Sequence, residues 1–240
     1  MVGNPARRRK LHVRVLAIET STDACSVALT DGVVQREDHR IVPRGHNREV
    51  LAMIDGLCAA LDIVPRSLDA VAVGVGPGSF TGLRIGASVA QGIALASGCR
   101  VLGVSSLEVL AATLFADDAS ARTAVCAQPA RPGELHVAVY GVATEGISCI
   151  AQTRLAPLDE VVAWLSGAAF ASPVVLVGGG AEALAARLSA SGWQVRLDFR
   201  PRAASLLGLA LPRLAKGEGG DAADLVLDYG TGTSAWRKAR

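Results

Sequence analysis

The stretch GVGPGSFTGLRIGASVAQGIA, Gly74 to Ala94, changes character twice. The apolar run Ala70 to Val75 that leads into it reads as a buried strand. Gly76-Pro77-Gly78 stops that strand, and Ser79-Phe80-Thr81-Gly82 follows as a turn. From Leu83 to Ser97 the apolar spacing becomes helical. A strand that turns through glycines into a helix is the building unit of an α/β fold. Glycines let the backbone bend sharply and let another chain, or a phosphate, approach closely. No Lys follows them, so this is not a Walker loop. Ser79 also lacks the flanking glycines of a nucleophile elbow. A turn that packs tightly accounts for these residues.

Outward from this unit the elements come in a readable order. Val13 to Ile18 is a strand. Ser26 to Thr30 and Val33 to Arg36 form a hairpin across Asp31-Gly32. His46 to Leu61 is a helix with its stripe at Val50, Ile54, Leu57 and Leu61. Val101 to Val104 is a strand and Leu107 to Phe115 a helix. The second half gives strands at Thr123 to Ala127, Leu135 to Tyr140 and Ile147 to Thr153. It continues with helix Leu158 to Leu165, strand Val174 to Val177, helix Ala181 to Ser189, strand Gln194 to Phe199 and helix Ala203 to Lys216. The order β-β-β-α-β-α-β-α thus occurs twice, which predicts two similar α/β lobes, residues 13–116 and 117–240, from a duplication. The break falls at Asp117-Asp118-Ala119-Ser120. Residues 1–12 read as a disordered basic arm or as one that helps to hold RNA.

Half of the 240 residues are hydrophobic and 19% are charged, enough apolar material for a packed core. The net charge of +2 is unevenly spread. Arg7, Arg8, Arg9, Lys10 and Arg14 come before any acid, and removing these five from the 24 bases leaves 19 against 22 acids, net −3. The body is therefore not built as a stand-alone nucleic-acid binder. The five cysteines (25, 58, 99, 126, 149) are scattered without a C-x-x-C pair, which fits a reducing cytoplasm. The four histidines (12, 39, 46, 136) form no H-x-x-x-H and give no metal signature. No stretch is long and apolar enough for a signal sequence or a membrane span, since Ile85 to Cys99 is interrupted by Gln91, serines and glycines.

Three features are candidates for function. Glu19, Thr20, Ser21 and Thr22, followed by Asp23, lie at the end of the first strand, where acids and hydroxyls hold a metal–phosphate group or make an ordinary polar turn. Gly178, Gly179 and Gly180 open a helix after a strand with the spacing of a dinucleotide fingerprint, but late in the chain and within the wrong element order. They read as a glycine turn facing an adenine nucleotide, or as an inert one. In the helix after the glycine turn, Gly86, Ala90 and Ala94 form a smooth stripe beside the apolar Ile85, Val89 and Ile93. That helix is either core or an interface with another subunit. Arg131-Pro132-Gly133-Glu134 reads as a solvated turn.

LAIETSTDACSVAL (16–29), HNREVLAMI (46–54), the Gly74 to Ala94 stretch, ARPGELHVAVY (130–140) and SAWRKA (234–239) together resemble the bacterial TsaB family, also called YeaZ. The resemblance covers nearly the whole chain after Val13, and GPGSFTGLR is its most specific part. It implies a two-lobed, actin-like and sugar-kinase-like ATPase fold. It also implies a non-catalytic subunit in making threonylcarbamoyladenosine at position 37 of tRNAs that read codons starting with A. The implied partners are a TsaD-like catalytic subunit, a TsaE-like ATPase and a second copy when the chain is alone, with tRNA met only through the complex. ATP or ADP would bind weakly, at the complex. Catalytic relatives carry an H-x-x-x-H metal pair where this chain has Ser105 to Leu110, so those ligands do not carry over. Where relatives have an Asp before Ala-Arg, this chain has Pro129. The expected interface uses His46, Val50 and Ile54 of one helix and Leu83, Arg84, Ile85, Gly86, Val89, Ala90, Ile93 and Ala94 of the other. The rival readings are a phosphotransferase with Glu19 as its base and a metalloprotease.

Overall fold

The computed structural model describes residues 13–144, 146–188 and 192–229. The expected arm 1–12, the end of the expected helix at Ser189 and the SAWRKA segment lie outside the described residues. The first half runs β1 (Val15–Glu19), β2 (Ala24–Thr30), β3 (Gln35–Ile41), α1 (His46–Leu61), β4 (Ala70–Gly74), α2 (Phe80–Ser97), β5 (Arg100–Val104) and α3 (Ser106–Asp117). The second runs β6 (Thr123–Pro129), β7 (Glu134–Ala143), β8 (Gly146–Pro157), α4 (Leu158–Ser166), β9 (Val174–Val177), α5 (Ala181–Arg187), β10 (Gln194–Arg196) and α6 (Ala203–Ala215). The doubled order expected from the sequence is present. Each half makes one five-stranded sheet, ordered β3-β2-β1-β4-β5 and β10-β9-β6-β7-β8. The pairings also repeat: β1 and β6 run antiparallel to the strand that follows them and parallel to β4 and β9.

Two local differences have plain causes. The first hairpin turns through four residues, because Thr30 pairs with Gln35 and Asp31 Oδ1 accepts the N–H groups of Val33 and Val34 at 2.8 and 2.7 Å. α2 starts at Phe80 rather than Leu83, because Ser79 caps it by accepting the Gly82 N–H at 3.2 Å.

The central strands are buried on both faces, and alternate residues go to different cores. Leu16, Ile18, Val71 and Val73 join Val50, Ile54, Ala90 and Ala94 of α1 and α2. On the other face Val15, Ala17, Ala70 and Ala72 meet Leu206, Leu207 and Ala210, which belong to α6 from the second half. The second sheet mirrors this. One face meets Val161, Leu165 and Leu184 of α4 and α5, and the other meets Leu107, Leu110 and Leu114 of α3, from the first half. Each half therefore lends its last helix to the other half's sheet. The first run of elements ends with α3 and the second begins with β6, and neither stretch is a self-contained packing unit. α3 and α6 also touch each other, through an Arg213–Glu108 ion pair and through Thr113 Oγ1, which accepts the Arg202 N–H at 3.1 Å.

Leu206→Ala should therefore destabilise the protein by about 2–5 kcal/mol, the range for an emptied leucine site in a core. Leu110→Ala should do the same from the other side of the exchange, both measured by denaturant unfolding.

Candidate functional site

The chain ends of the central strands meet at a cleft between the lobes, a cavity of about 1430 Å³. Ser21, Thr22 and Asp23 of the β1–β2 turn form one wall, together with Ser79, Phe80 and Thr81 at the start of α2. Gln128 to Arg131, Gly178, Gly179 and Glu182 form the opposite wall. The structure thus brings Ser21 and Thr22 to the same cavity as Gly178 and Gly179. Glu19, Thr20 and Gly180 do not line it.

Those three residues are occupied elsewhere. Glu19 is 1% exposed. Its Oε1 accepts the Ser21 N–H at 2.7 Å and its Oε2 accepts the Ser106 hydroxyl at 3.0 Å. Burial raises its pKa above the ordinary 4.5, against hydrogen bonds from Ser21 and Ser106 that lower it. Thr20 Oγ1 donates to the Gly82 carbonyl at 2.9 Å, and the Ser79 N–H donates to the Ser21 carbonyl at 2.6 Å. A Cβ placed on Gly74, Gly78, Gly82 or Gly86 would lie closer than 3.0 Å to Glu19, Ser21 or Thr20. The GPGSFTG turn is thus a close interlock with the end of β1, as the simplest reading of its glycines expects. In the second lobe Gly178 has φ 97°, and the Gly180 N–H donates to the Ala127 carbonyl at 3.0 Å. That glycine turn packs on the end of β6 in the same way.

Asp23, at the tip of the β1–β2 turn, is gripped by Arg200 at 2.6 and 2.8 Å. These bonds hold its carboxyl below the usual range. Beside them Arg202 pairs with Glu37 at 2.6 Å, and Glu37 Oε1 accepts the Ala204 N–H at the start of α6. Neither arginine carries a sequence signal, because its partner lies more than 150 residues away and no spacing rule reaches that far. At the cleft mouth Arg84 sits 3.7 Å over the Phe80 ring and donates to the Tyr229 hydroxyl, while Phe80 and Tyr229 lie 5.3 Å apart. Tyr229 arrives there because the chain after α6 pairs Gly220 with Val101 and then donates the Asp228 N–H to the Val75 carbonyl.

The expected interface residues need a correction. Val50 and Ile54 are buried in the core under α1, and His46 is held by the Ala24 carbonyl at 3.1 Å from its Nε2. Leu83, Gly86, Ala90 and Ala94 are likewise buried. The smooth stripe lies against the chain's own sheet, with Gly86 over Thr20 and Ile18. Ile85, Val89 and Ile93 are half-buried beside it, and Arg84 is exposed. The outward side of α2 carries a different smooth row, Ser88, Gly92 and Ala96, and that of α1 carries Ala52, Gly56 and Ala59. Added Cβ atoms on Gly56 and Gly92 would meet nothing within 4 Å.

Burial pushes the Cys25 thiol up to about 12 and raises that of Cys126 as well, so neither is a thiolate nucleophile near neutral pH. Among the described residues no group of three His, Cys, Asp or Glu side chains converges as a metal site, and no helix is long and apolar enough to cross a membrane.

Two lobes of this repeated topology, with exchanged helices and a cleft at their strand ends, define an actin-like ATPase fold. The chain belongs to the tRNA N6-adenosine threonylcarbamoyltransferase family, whose model matches residues 14–197, and within it to the TsaB (YeaZ) group. It is 37% identical over 151 residues to the tRNA threonylcarbamoyladenosine biosynthesis protein TsaB of Escherichia coli, covering 62% of this chain and 64% of that one. The Haemophilus influenzae TsaB protein is 38% identical over 125 residues, 52% of each chain. The chain therefore spans about half to two thirds of the length of these relatives. The crystal structure of YeaZ from Pseudomonas aeruginosa superposes with a TM-score of 0.78 at 28% identity, covering 90% of this chain and 99% of that one.

The buried Glu19 makes a pH prediction. Its folded pKa lies above its unfolded one, so the native state is favoured below pH 4.5 and loses that contribution as pH rises through the raised value. Glu19→Gln should flatten this part of the stability-versus-pH curve in thermal melts between pH 4 and neutrality. Gly82→Ala should destabilise by about 1–3 kcal/mol or more, because the contact is with backbone that cannot swing away.

Proposed function

We propose that this chain is a non-catalytic partner subunit for threonylcarbamoylation of adenosine 37 in tRNAs reading codons that start with A. It works in the cytoplasm by pairing with a TsaD-like catalytic subunit, with a TsaE-like ATPase joining the pair and tRNA reached only through the complex. Without its partner it forms a homodimer through the same surface. The names of its relatives support the pathway. The observation that supports pairing is the outward face of α1 and α2. Leu51 and Leu95 are 54% and 75% exposed there, beside the smooth rows Ala52-Gly56-Ala59 and Ser88-Gly92-Ala96. Arg48, Asp55 and Arg84 are exposed on these helices, and Ala52 and Gly56 also line a groove with Arg36, Glu37, Asp38 and Arg40 of β3. Smooth rows let a second helix axis come close, and the exposed leucines give it apolar area to bury. Half-buried Ile85, Val89 and Ile93 border this face.

The phosphotransferase reading loses its only candidate base, since Glu19 is sealed behind Gly74 and Ser106 rather than facing the cleft. The isolated chain should neither hydrolyse ATP in steady state nor modify tRNA.

Gly92→Arg tests the pairing surface. The variant should melt like the parent, because its side chain points into open space, but it should lose self-association and binding to the catalytic subunit in sedimentation velocity. Ala90→Arg should instead fail to fold, since it buries an unpaired cation under α2. A Gly92→Arg protein that still pairs fully would place the interface elsewhere.

A further inference from the structure

We propose that His39 is an acid-sensitive latch on the chain that crosses between the lobes, residues 197–202, and that it releases this chain from the first lobe when its ring gains a proton. His39 stands on the edge strand β3 and lines a separate cavity of about 410 Å³, together with the start of α6 and the end of α3. Asp198, Phe199 and Arg200 of the crossing chain line both this cavity and the cleft, so they form the wall between the two. Two ion pairs hold that wall to the first lobe, Arg200 with Asp23 at 2.6 Å and Arg202 with Glu37 at 2.6 Å. The wall also carries a tight bend. Asp198 takes φ 57°, a conformation that side chains disfavour, and its carbonyl accepts an Arg200 N–H at 2.6 Å.

The groups around His39 have no acceptor to spare for a second proton. Its Nδ1 is buried without a hydrogen-bond partner among the described residues. Three acids line the cavity. Asp117 and Asp198 are 59% and 89% exposed, with Arg196 and Arg200 at 3.7 and 3.6 Å. Glu37 is the buried one, at 12%, and both its oxygens are engaged. Oε2 takes Arg202, while Oε1 accepts the Ser26 hydroxyl at 3.0 Å and the Ala204 N–H at 2.9 Å. Along β3, Asp38 and Arg40 turn to the α1 side and pair with each other at 2.5 Å. β2 sets the uncharged Ser26 opposite His39, and the start of α6 adds Ala204 and Ser205. A neutral ring carries one N–H. A protonated ring carries two, and it is a third cation beside Arg200 and Arg202. It either repels Arg202 or takes Glu37 from it, and both outcomes free the crossing chain and loosen the first turn of α6. Burial, then Arg202 and Arg200, hold the ring below the ordinary 6.5, against Glu37 and Asp38. The folded state therefore has this contribution above pH 6.5 and loses it as pH falls through the lowered value, the opposite sense to Glu19.

The test is hydrogen–deuterium exchange of the full chain at about pH 7.5 and about pH 5.5, corrected for the intrinsic effect of pH on exchange. Amides of residues 198–206 should lose protection about tenfold in acid relative to those of β4, the loss of a charge-assisted contact. His39→Gln should remove that loss. At neutral pH it should melt like the parent, since Nδ1 of the neutral ring makes no bond. His136→Gln, whose ring lines the cleft instead, should keep the parent's loss. Unchanged protection in acid, a loss spread equally over β4, or the same loss in His39→Gln would each overturn the latch. The ring itself gives a reading that needs no His39 variant. Its proton resonance should titrate below pH 6.5 in the parent, and the midpoint should move up in Arg202→Gln. A midpoint that Arg202→Gln leaves in place would overturn the latch as well.

Discussion

Each sheet has one face covered by a helix that the chain supplies from its other half, and the rest of the architecture depends on this exchange. Without α6, the face formed by Val15, Ala17, Ala70 and Ala72 would lie open to water; without α3, so would the face of Ala124, Cys126 and Val175. Hydrophobic burial drives both helices across the middle of the molecule, where they meet through Arg213 and Glu108. The connections on either side, residues 117–122 and 197–202, must then cross between lobes. The first is tied to the end of β10 by Arg196 to Asp118 at 3.5 Å, and the second is tied to the first lobe by Arg200 and Arg202. The cleft is the space left at the strand ends once the two cores are joined in this way.

A second constraint acts at the end of β1. A carboxylate, a hydroxyl and two carbonyls there meet the glycine turn of β4–α2 at distances that leave no room for a Cβ. The glycines serve the protein's own backbone. What reaches the cleft from this region is the start of α2 and the Asp23–Arg200 pair, not a free acid. A fold shared with nucleotide-using enzymes therefore keeps its shape while its first turn is closed by internal contacts. This leaves Leu51 and Leu95 exposed on the outer layer of α1 and α2, away from the cleft.

Much of the fold was legible in the sequence, because strands buried on both faces read as unbroken apolar runs and α1 carries a clear 3.6-residue stripe. β3 extends well beyond the expected Val33 to Arg36: as the edge strand QREDHRI it buries little, so hydropathy gives it no signal. The stripe on α2 has two meanings at the level of sequence. A small residue every fourth position signals close approach, but it does not say to what. Here Gly86 makes room for Thr20, and Ala90 and Ala94 for the sheet, while the row Ser88-Gly92-Ala96 faces outward. The Asp23–Arg200 pair leaves no trace in the sequence, because Arg200 acquires its role only when the chain folds back across the lobes.

We propose that the chain works through the outer face of α1 and α2. Hydrogen–deuterium exchange tests this on the full chain, first diluted until its homodimer has dissociated and then saturated with the catalytic subunit. Peptides spanning residues 48–60 and 84–96 should gain protection, while the exposed edge strand β8 should exchange as before. Protection confined to β8 or to the second lobe, with α1 and α2 unchanged, would contradict the account.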